Sequence, residues 1–102
     1  MNTDTIKKTS RAKYLHSLAK LTAKENHLAQ LLITQSGGTF RVTPELISFL
    51  SVESLGKTVI ILDIFESPIE VDRTTMLESC VELYSTVMQS WLDTTKLINS
   101  KR

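Results

Sequence analysis

Four carboxylates surround one short segment in the second half of the chain, and their side chains are the ones best suited to chemistry. Paired carboxylates bind divalent cations or act as acid and base in catalysis. On a two-stranded ribbon, however, acidic side chains more often solvate an outer face and protect an exposed edge. The cluster comprises Asp63, Glu66, Glu70 and Asp72. We therefore predict that these carboxylates solvate the ribbon and that the chain is not an enzyme.

The histidines, the cysteine and the glycine pair add no second reactive site. His16 and His27 are eleven residues apart, which on a helix separates them by about 16 Å, too far to share a metal ion. We expect both histidines at the surface, and neither a metal nor a cofactor. Cys80 lies on an apolar stripe, where a thiol behaves as a small hydrophobic group. The residues 37–38 lack the G-K-[ST] of a phosphate loop and are predicted to stop a helix.

The amino-terminal part of the chain is basic. Residues 1–24 contain six basic side chains and one acidic one, while the whole chain has a net charge of +1. Such a segment attracts acidic partners, or simply keeps an exposed helix solvated. Nucleic-acid binding is the alternative function, although Tyr14 is the only aromatic residue nearby for base stacking. Its contacts would come from Lys7, Lys8, Arg11 and Lys13.

The carboxyl-terminal segment carries the clearest structural pattern. Its apolar residues alternate steps of three and four, which predicts an amphipathic helix over residues 75–98, extended to a cap at Asp72 or Thr75, with Asp72 preferred. Trp91 belongs either to the core or to an interface with another subunit. The stripe consists of Leu77, Cys80, Tyr84, Val87, Trp91, Thr94 and Ile98.

A second stripe with the same spacing predicts a helix over residues 11–35, with Ser10 as its N-cap. Glu25 interrupts the apolar pattern, and it either fixes the register of a helix pair or marks where the helix leaves its partner. Residues 1–9 are predicted to be a flexible basic segment. The stripe consists of Tyr14, Leu18, Leu21, Glu25, Leu28 and Leu32.

Shorter elements are predicted between the two helices. Alternation around Phe40 predicts a short strand, and Thr43 followed by Pro44 predicts a capped helix over residues 44–52. The β-branched run at residues 58–65 predicts a strand, which Pro68 separates from a return strand at residues 69–71.

These elements predict an α+β fold in which two long amphipathic helices flank a small β-hairpin and short-helix unit. A chain of 102 residues with 41% hydrophobic residues fits a single domain, here residues 10–102, with a thin core that favours oligomerisation. No apolar run is long enough for a membrane span, and we expect a cytoplasmic protein. The helices are expected to pair, within one chain or across a dimer, through Leu18, Leu21, Leu28 and Leu32 facing Leu77, Tyr84, Val87 and Trp91.

Three motifs carry a resemblance over about half of the chain. They are T-P-E-L-I-S-F-L at residues 43–50, S-P-I-E-V-D-R at residues 67–73 and V-M-Q-S-W at residues 87–91. This run resembles small proteins of contractile-tailed phages that infect marine cyanobacteria. The resemblance implies a phage protein of assembly, of the virion or of host modification, with no catalytic residue carried over. The layout of outer helices around a β ribbon is also similar to prefoldin subunits, from which the short helix at residues 44–52 departs.

The predicted function is therefore that of a non-enzymatic interaction or assembly protein. Its first expected partner is a second copy of the same chain, and another partner is a virion or host protein. We expect it in the cytoplasm of the host or associated with the virion.

Overall fold

A computed structural model describes the backbone of residues 3–100 and the side chains of residues 11–100. It contains helix α1 (Thr3–Ala29), strands β1 (Leu32–Gln35) and β2 (Gly38–Arg41), helix α2 (Pro44–Leu50), a single 3₁₀ turn (Glu53–Leu55), strands β3 (Thr58–Leu62) and β4 (Pro68–Asp72), and helix α3 (Arg73–Ser100). Three helices and two antiparallel hairpins confirm the predicted α+β class and its two long helices.

The bounds of α1 correct the sequence prediction at both ends. The helix begins at Thr3, so Ser10 lies inside it, and it ends at Ala29 instead of residue 35. Residues 1 and 2 lie outside the described part, and the flexibility of residues 1–9 stays a prediction. Leu32, predicted on the helical stripe, lies in β1.

The first hairpin explains why the helix ends early. Ile33 pairs with Phe40, and the backbone N–H of Val42 donates to the carbonyl of Leu31 at 2.8 Å. Ser36 and Gly37 have φ values of 56° and 86°, the left-handed conformation of two-residue hairpin turns. The expected helix stop at residues 37–38 is therefore wrong, because Gly37 belongs to a hairpin turn.

The short helix and the second hairpin follow the sequence prediction closely. The hydroxyl of Thr43 accepts the backbone N–H of Leu46 at 3.1 Å and caps α2. Strand β3 ends at Leu62, earlier than predicted, because one oxygen of Asp63 accepts the N–H groups of Phe65 and Ser67, each at 2.9 Å, to form the turn. Asp72 then caps α3, as preferred, by accepting the N–H of Thr75 at 2.9 Å.

The core lies between the two hairpins, α2 and the first half of α3. Its largest fully buried side chains are Phe40, Val42, Leu50, Val71, Met76 and Cys80. The molecule as a whole is elongated, with extents of 67 × 24 × 19 Å and a radius of gyration of 19.5 Å, against about 13 Å for a compact domain of 100 residues.

Within residues 3–100, no helix combines the length and the apolar character that crossing a bilayer requires.

Candidate interaction surface

Helices α1 and α3 pack against each other through small residues of α1. Ala23 and His27 are buried and Ala19 is half-buried, and the groove beside them is closed on the other side by Thr94 and Ile98. His27 stacks on Trp91, and residues that precede His27, such as Ala19, share a groove with Thr94 and Ile98, which follow Trp91, so the helices are antiparallel. The part of α1 before His16 consequently extends past Ser100, the last described residue of α3, by about 20 Å.

His27 corrects the expectation of a surface histidine. It is only 7% exposed, its Nδ1 lies 2.6 Å from the carbonyl oxygen of Ala23, and its ring stacks on Trp91 with centroids 6.2 Å apart. Because a carbonyl can only accept, Nδ1 carries a proton and donates to Ala23, and Nε2 lies 3.3 Å from the hydroxyl of Ser90, within hydrogen-bond distance. The contact was not predicted from the sequence, although Ala19, Ala23 and His27 recur every four residues and so share one face of the helix.

The leucine stripe lies on the side of α1 opposite Ala23, and only its margins at Leu18 and Leu28 line grooves that are shared with α3. At 100° per residue, its members are turned by about 140° to 180° from Ala23 around the helix axis. Their exposed fractions run from 38% at Leu28 to 65% at Tyr14. We name these residues the α1 stripe, and they comprise Tyr14, Leu18, Leu21, Glu25 and Leu28.

The four α3 residues that were predicted at an interface lie on the side of α3 that faces its own chain. Val87 is buried, and Leu77 and Tyr84 pack against the core. Trp91 is half-buried against His27. The sequence therefore identified the covered face of α3. The residues of α1 that pack against the carboxyl-terminal half of α3 are alanines and a histidine.

One apolar cavity opens where the base of α1 meets α3. It has a volume of about 200 Å³ and lies next to the start of α2. Leu28 and Leu31 line it from one side, and Tyr84, Met88 and Trp91 from the other. Leu28 is thus the member of the α1 stripe that approaches the predicted α3 residues.

The basic residues of α1 are open to solvent where the structure describes them. Arg11, Lys13, Lys20 and Lys24 are exposed, whereas the side chains of Lys7 and Lys8 lie outside the described residues. Lys13, Lys20 and Lys24 fall within about 40° of one another around the helix axis. They form a basic ridge beside the α1 stripe.

Two of the four carboxylates and the cysteine have structural roles. Asp63 forms the turn of the second hairpin and Asp72 caps α3. Burial raises the pKa of the Cys80 thiol, which lowers its thiolate content and hence its nucleophilicity. Among residues 11–100, no group of three or more His, Cys, Asp or Glu side chains is arranged to hold a metal ion.

The geometry therefore offers two kinds of surface, an apolar stripe with an adjacent basic ridge on α1 and exposed apolar side chains on the second hairpin. Ile60, Leu62 and Phe65 of that hairpin are between 62% and 77% exposed. Such groups are the usual material of contacts between proteins. Comparison of the chain with protein-family models, with curated proteins and with solved structures finds no match.

Proposed function

We propose that this protein is a non-enzymatic interaction and assembly protein, which forms a homo-oligomer by pairing α1 with α1 of a second copy. The observation that carries the proposal is the α1 stripe, whose apolar members are between 38% and 65% exposed on the side of α1 opposite the buried Ala23. Burial of apolar surface is worth roughly 25 cal/mol per Å². An exposed apolar stripe of this kind typically marks an interface.

An antiparallel pair explains why Glu25 interrupts the stripe. The spacing of the stripe is that of a and d positions in a coiled coil. If Leu18 packs beside Leu21 of the second copy, then Glu25 lies beside Tyr14 of the second copy. The tyrosine hydroxyl donates to the carboxylate, and Arg11 one turn away adds a cation. A single polar contact in an apolar seam fixes the register of the pair.

The test is the mass of the protein across a concentration series, measured by analytical ultracentrifugation. We expect the wild-type chain to self-associate and Leu21→Asp to weaken this association at least tenfold, because the substitution places a charge in the apolar seam. The fold should be kept, because Leu21 is exposed and lies outside the core. Leu97→Asp is the matched control, because Leu97 is similarly exposed on α3 and should leave the mass unchanged. A wild-type chain that is monomeric at every concentration contradicts the proposal.

We also propose that the protein comes from a phage. This part of the proposal is based on the resemblance of the motifs at residues 43–50, 67–73 and 87–91 to phage proteins. On this proposal the protein acts in the host cytoplasm or on the virion, with a virion or host protein as a further partner. Mass spectrometry of purified particles and of the cleared lysate decides between the two locations.

Nucleic-acid binding is the second candidate function, and the basic ridge supports it. Lys13, Lys20 and Lys24 are exposed on one side of α1, and Lys7, Lys8 and Arg11 belong to the same helix. Binding of this kind weakens steeply with salt. We expect replacement of the three ridge lysines by Gln to reduce binding to a DNA or RNA oligomer, while Lys96→Gln on α3 has no effect. Absence of binding at low salt removes this candidate.

A further inference from the structure

The outer edge of β3, in the second hairpin, has backbone groups without a strand partner. At the two ends of this hairpin the N–H of Arg73 donates to the carbonyl of Lys57, and the N–H of Asp63 donates to the carbonyl of Ser67. Hydrogen-bonded and non-hydrogen-bonded pairs alternate in an antiparallel ladder, so the backbone N–H and C=O groups of Val59 and Ile61 point to β4. The N–H and C=O groups of Thr58, Ile60 and Leu62 therefore point to the outer edge of β3. No described residue forms a backbone hydrogen bond with them.

The two edges of this hairpin differ in how they are protected. The outer edge of β4 presents Pro68, Glu70 and Asp72, and proline and charged residues are the usual means of preventing strand addition. The outer edge of β3 has no such residue. Its Ile60 and Leu62 side chains are 66% and 62% exposed. An unprotected apolar edge is a template for another strand.

We propose that β3 pairs with β3 of another copy, antiparallel and with Ile60 opposite Ile60 of that copy. This register places Thr58 opposite Leu62, so that every outward backbone group of each strand meets one of the other. It also places Lys57 opposite Asp63 at both ends. One oxygen of Asp63 is used in its own turn, and the second oxygen is open to the lysine.

Neighbouring registers are less suitable. A shift by two residues in one direction places Gly56 opposite Leu62, and Gly56 turns the backbone away with a φ of 90°. A shift in the other direction places Ile64 opposite Thr58, and the N–H of Ile64 already donates to the carbonyl of Thr39 at 2.8 Å. Only the register centred on Ile60 satisfies all three outward residues.

This surface is separate from the α1 stripe and goes beyond the helix pairing proposed above. Each contact joins the same surface of two copies about a two-fold axis. A chain with two such surfaces forms a closed tetramer when the two axes intersect at right angles, and an open assembly when the axes do not intersect. The second hairpin thus converts a helix-paired dimer into a larger assembly.

The experiment uses the full chain with Leu21→Asp, which removes pairing through α1. Ile60→Lys and Ile60→Asp are each added to this background, and the masses are measured by analytical ultracentrifugation. Like charges directly opposite each other oppose strand pairing, so each variant alone should be monomeric while the Leu21→Asp parent is dimeric. An equimolar mixture of the two variants should recover the dimer, because Lys and Asp then face each other.

A second variant tests the register without changing Ile60. Lys57→Glu places a glutamate opposite Asp63, and we expect the dimer to dissociate at least threefold more readily at low salt, with a smaller difference at 1 M salt where repulsion is screened. Lys96→Glu on α3 is the control and should change nothing. Circular dichroism verifies that every variant is folded.

The outcomes separate the two proposals. If the Leu21→Asp chain is monomeric throughout the concentration series, or if the mixture of Ile60 variants stays monomeric, the β3 proposal is overturned. If Leu21→Asp leaves the wild-type mass unchanged while the mixture still recovers association, the helix pairing fails and the β3 proposal stands.

Discussion

At the scale of single residues, His27 determines how the two long helices meet. Its ring lies between α1 and α3, hydrogen-bonds within α1 to Ala23 and across to Ser90, and stacks on Trp91. Small side chains at Ala19 and Ala23 allow the helices to approach closely. A single aromatic polar residue therefore supplies much of the contact that leucines supply in other helix pairs.

Replacement of His27 by Ala should destabilise the chain. The variant loses two hydrogen bonds and the ring contact with Trp91, and we expect a reduction in the free energy of unfolding of about 1–3 kcal/mol. Urea denaturation followed by the fluorescence of Trp91, the only tryptophan, measures it. Asn26→Ala is the control at an exposed neighbouring position. Equal stabilities of the two variants would contradict this role for His27.

Asp72 should make stability depend on pH at the acid end. Hydrogen bonds from Thr75, and the nearby charge of Lys57, hold the pKa of Asp72 below its ordinary value. A group with a lowered pKa stabilises the fold above its unfolded pKa of about 3.9, and this contribution disappears as pH falls through the folded value. Asp72→Asn keeps an N-cap acceptor but removes the charge. Its melting temperature should lie below that of the wild type at pH 7, and the gap should close as pH falls through the lowered pKa of Asp72.

At the scale of elements, the two hairpins differ in what fixes them. The first depends on its turn, because β1 and β2 are only four residues each. Gly38 also permits close packing, since a Cβ atom there would lie 2.9 Å from the ring of Phe40. The second hairpin is longer, and its turn is held by Asp63.

Substitutions in the first turn should have opposite effects. Ser36 and Gly37 both have positive φ, so Gly37→Ala should cost roughly 1–2 kcal/mol of stability. Ser36→Asn creates the Asn-Gly pair that such turns favour and should raise stability. Thermal melts of both variants against the wild type measure the effects. Equal melting temperatures for the two variants would show that the turn does not limit stability.

At the scale of the whole molecule, elongation leaves much apolar surface without cover from its own chain. The core lies at one end, and α1 reaches past the described end of α3. Both the α1 stripe and the β3 edge lie outside this core. Association through them would bury surface that a chain of this length cannot cover alone.

The melting temperature should consequently rise with protein concentration. Association of folded copies stabilises the folded state by mass action. We expect the rise for the wild type and for the control Leu97→Asp, and a smaller rise for Leu21→Asp. Differential scanning calorimetry over a hundredfold range of concentration measures it. A concentration-independent melting temperature for all three proteins would contradict association of the folded chain.

The sequence by itself determined the elements that depend on local signals. The cap at Thr43, the cap at Asp72, the proline at the start of β4 and the periodic stripe of α3 were all readable, because each involves residues within a few positions of one another. The same reasoning placed Cys80 in the core, where the structure confirms it.

Only the tertiary structure decided which face of α1 is covered. The spacing of Leu18 and Leu21 is periodic whichever partner covers them, while Ala23 and His27 become the contact because α3 lies on their side. Residues 32–35 are likewise apolar enough for a helix, and they form a strand because β2 folds back to pair with them. Periodicity identifies a helix face that prefers burial, but the element that covers this face comes from a distant part of the chain or from a second chain.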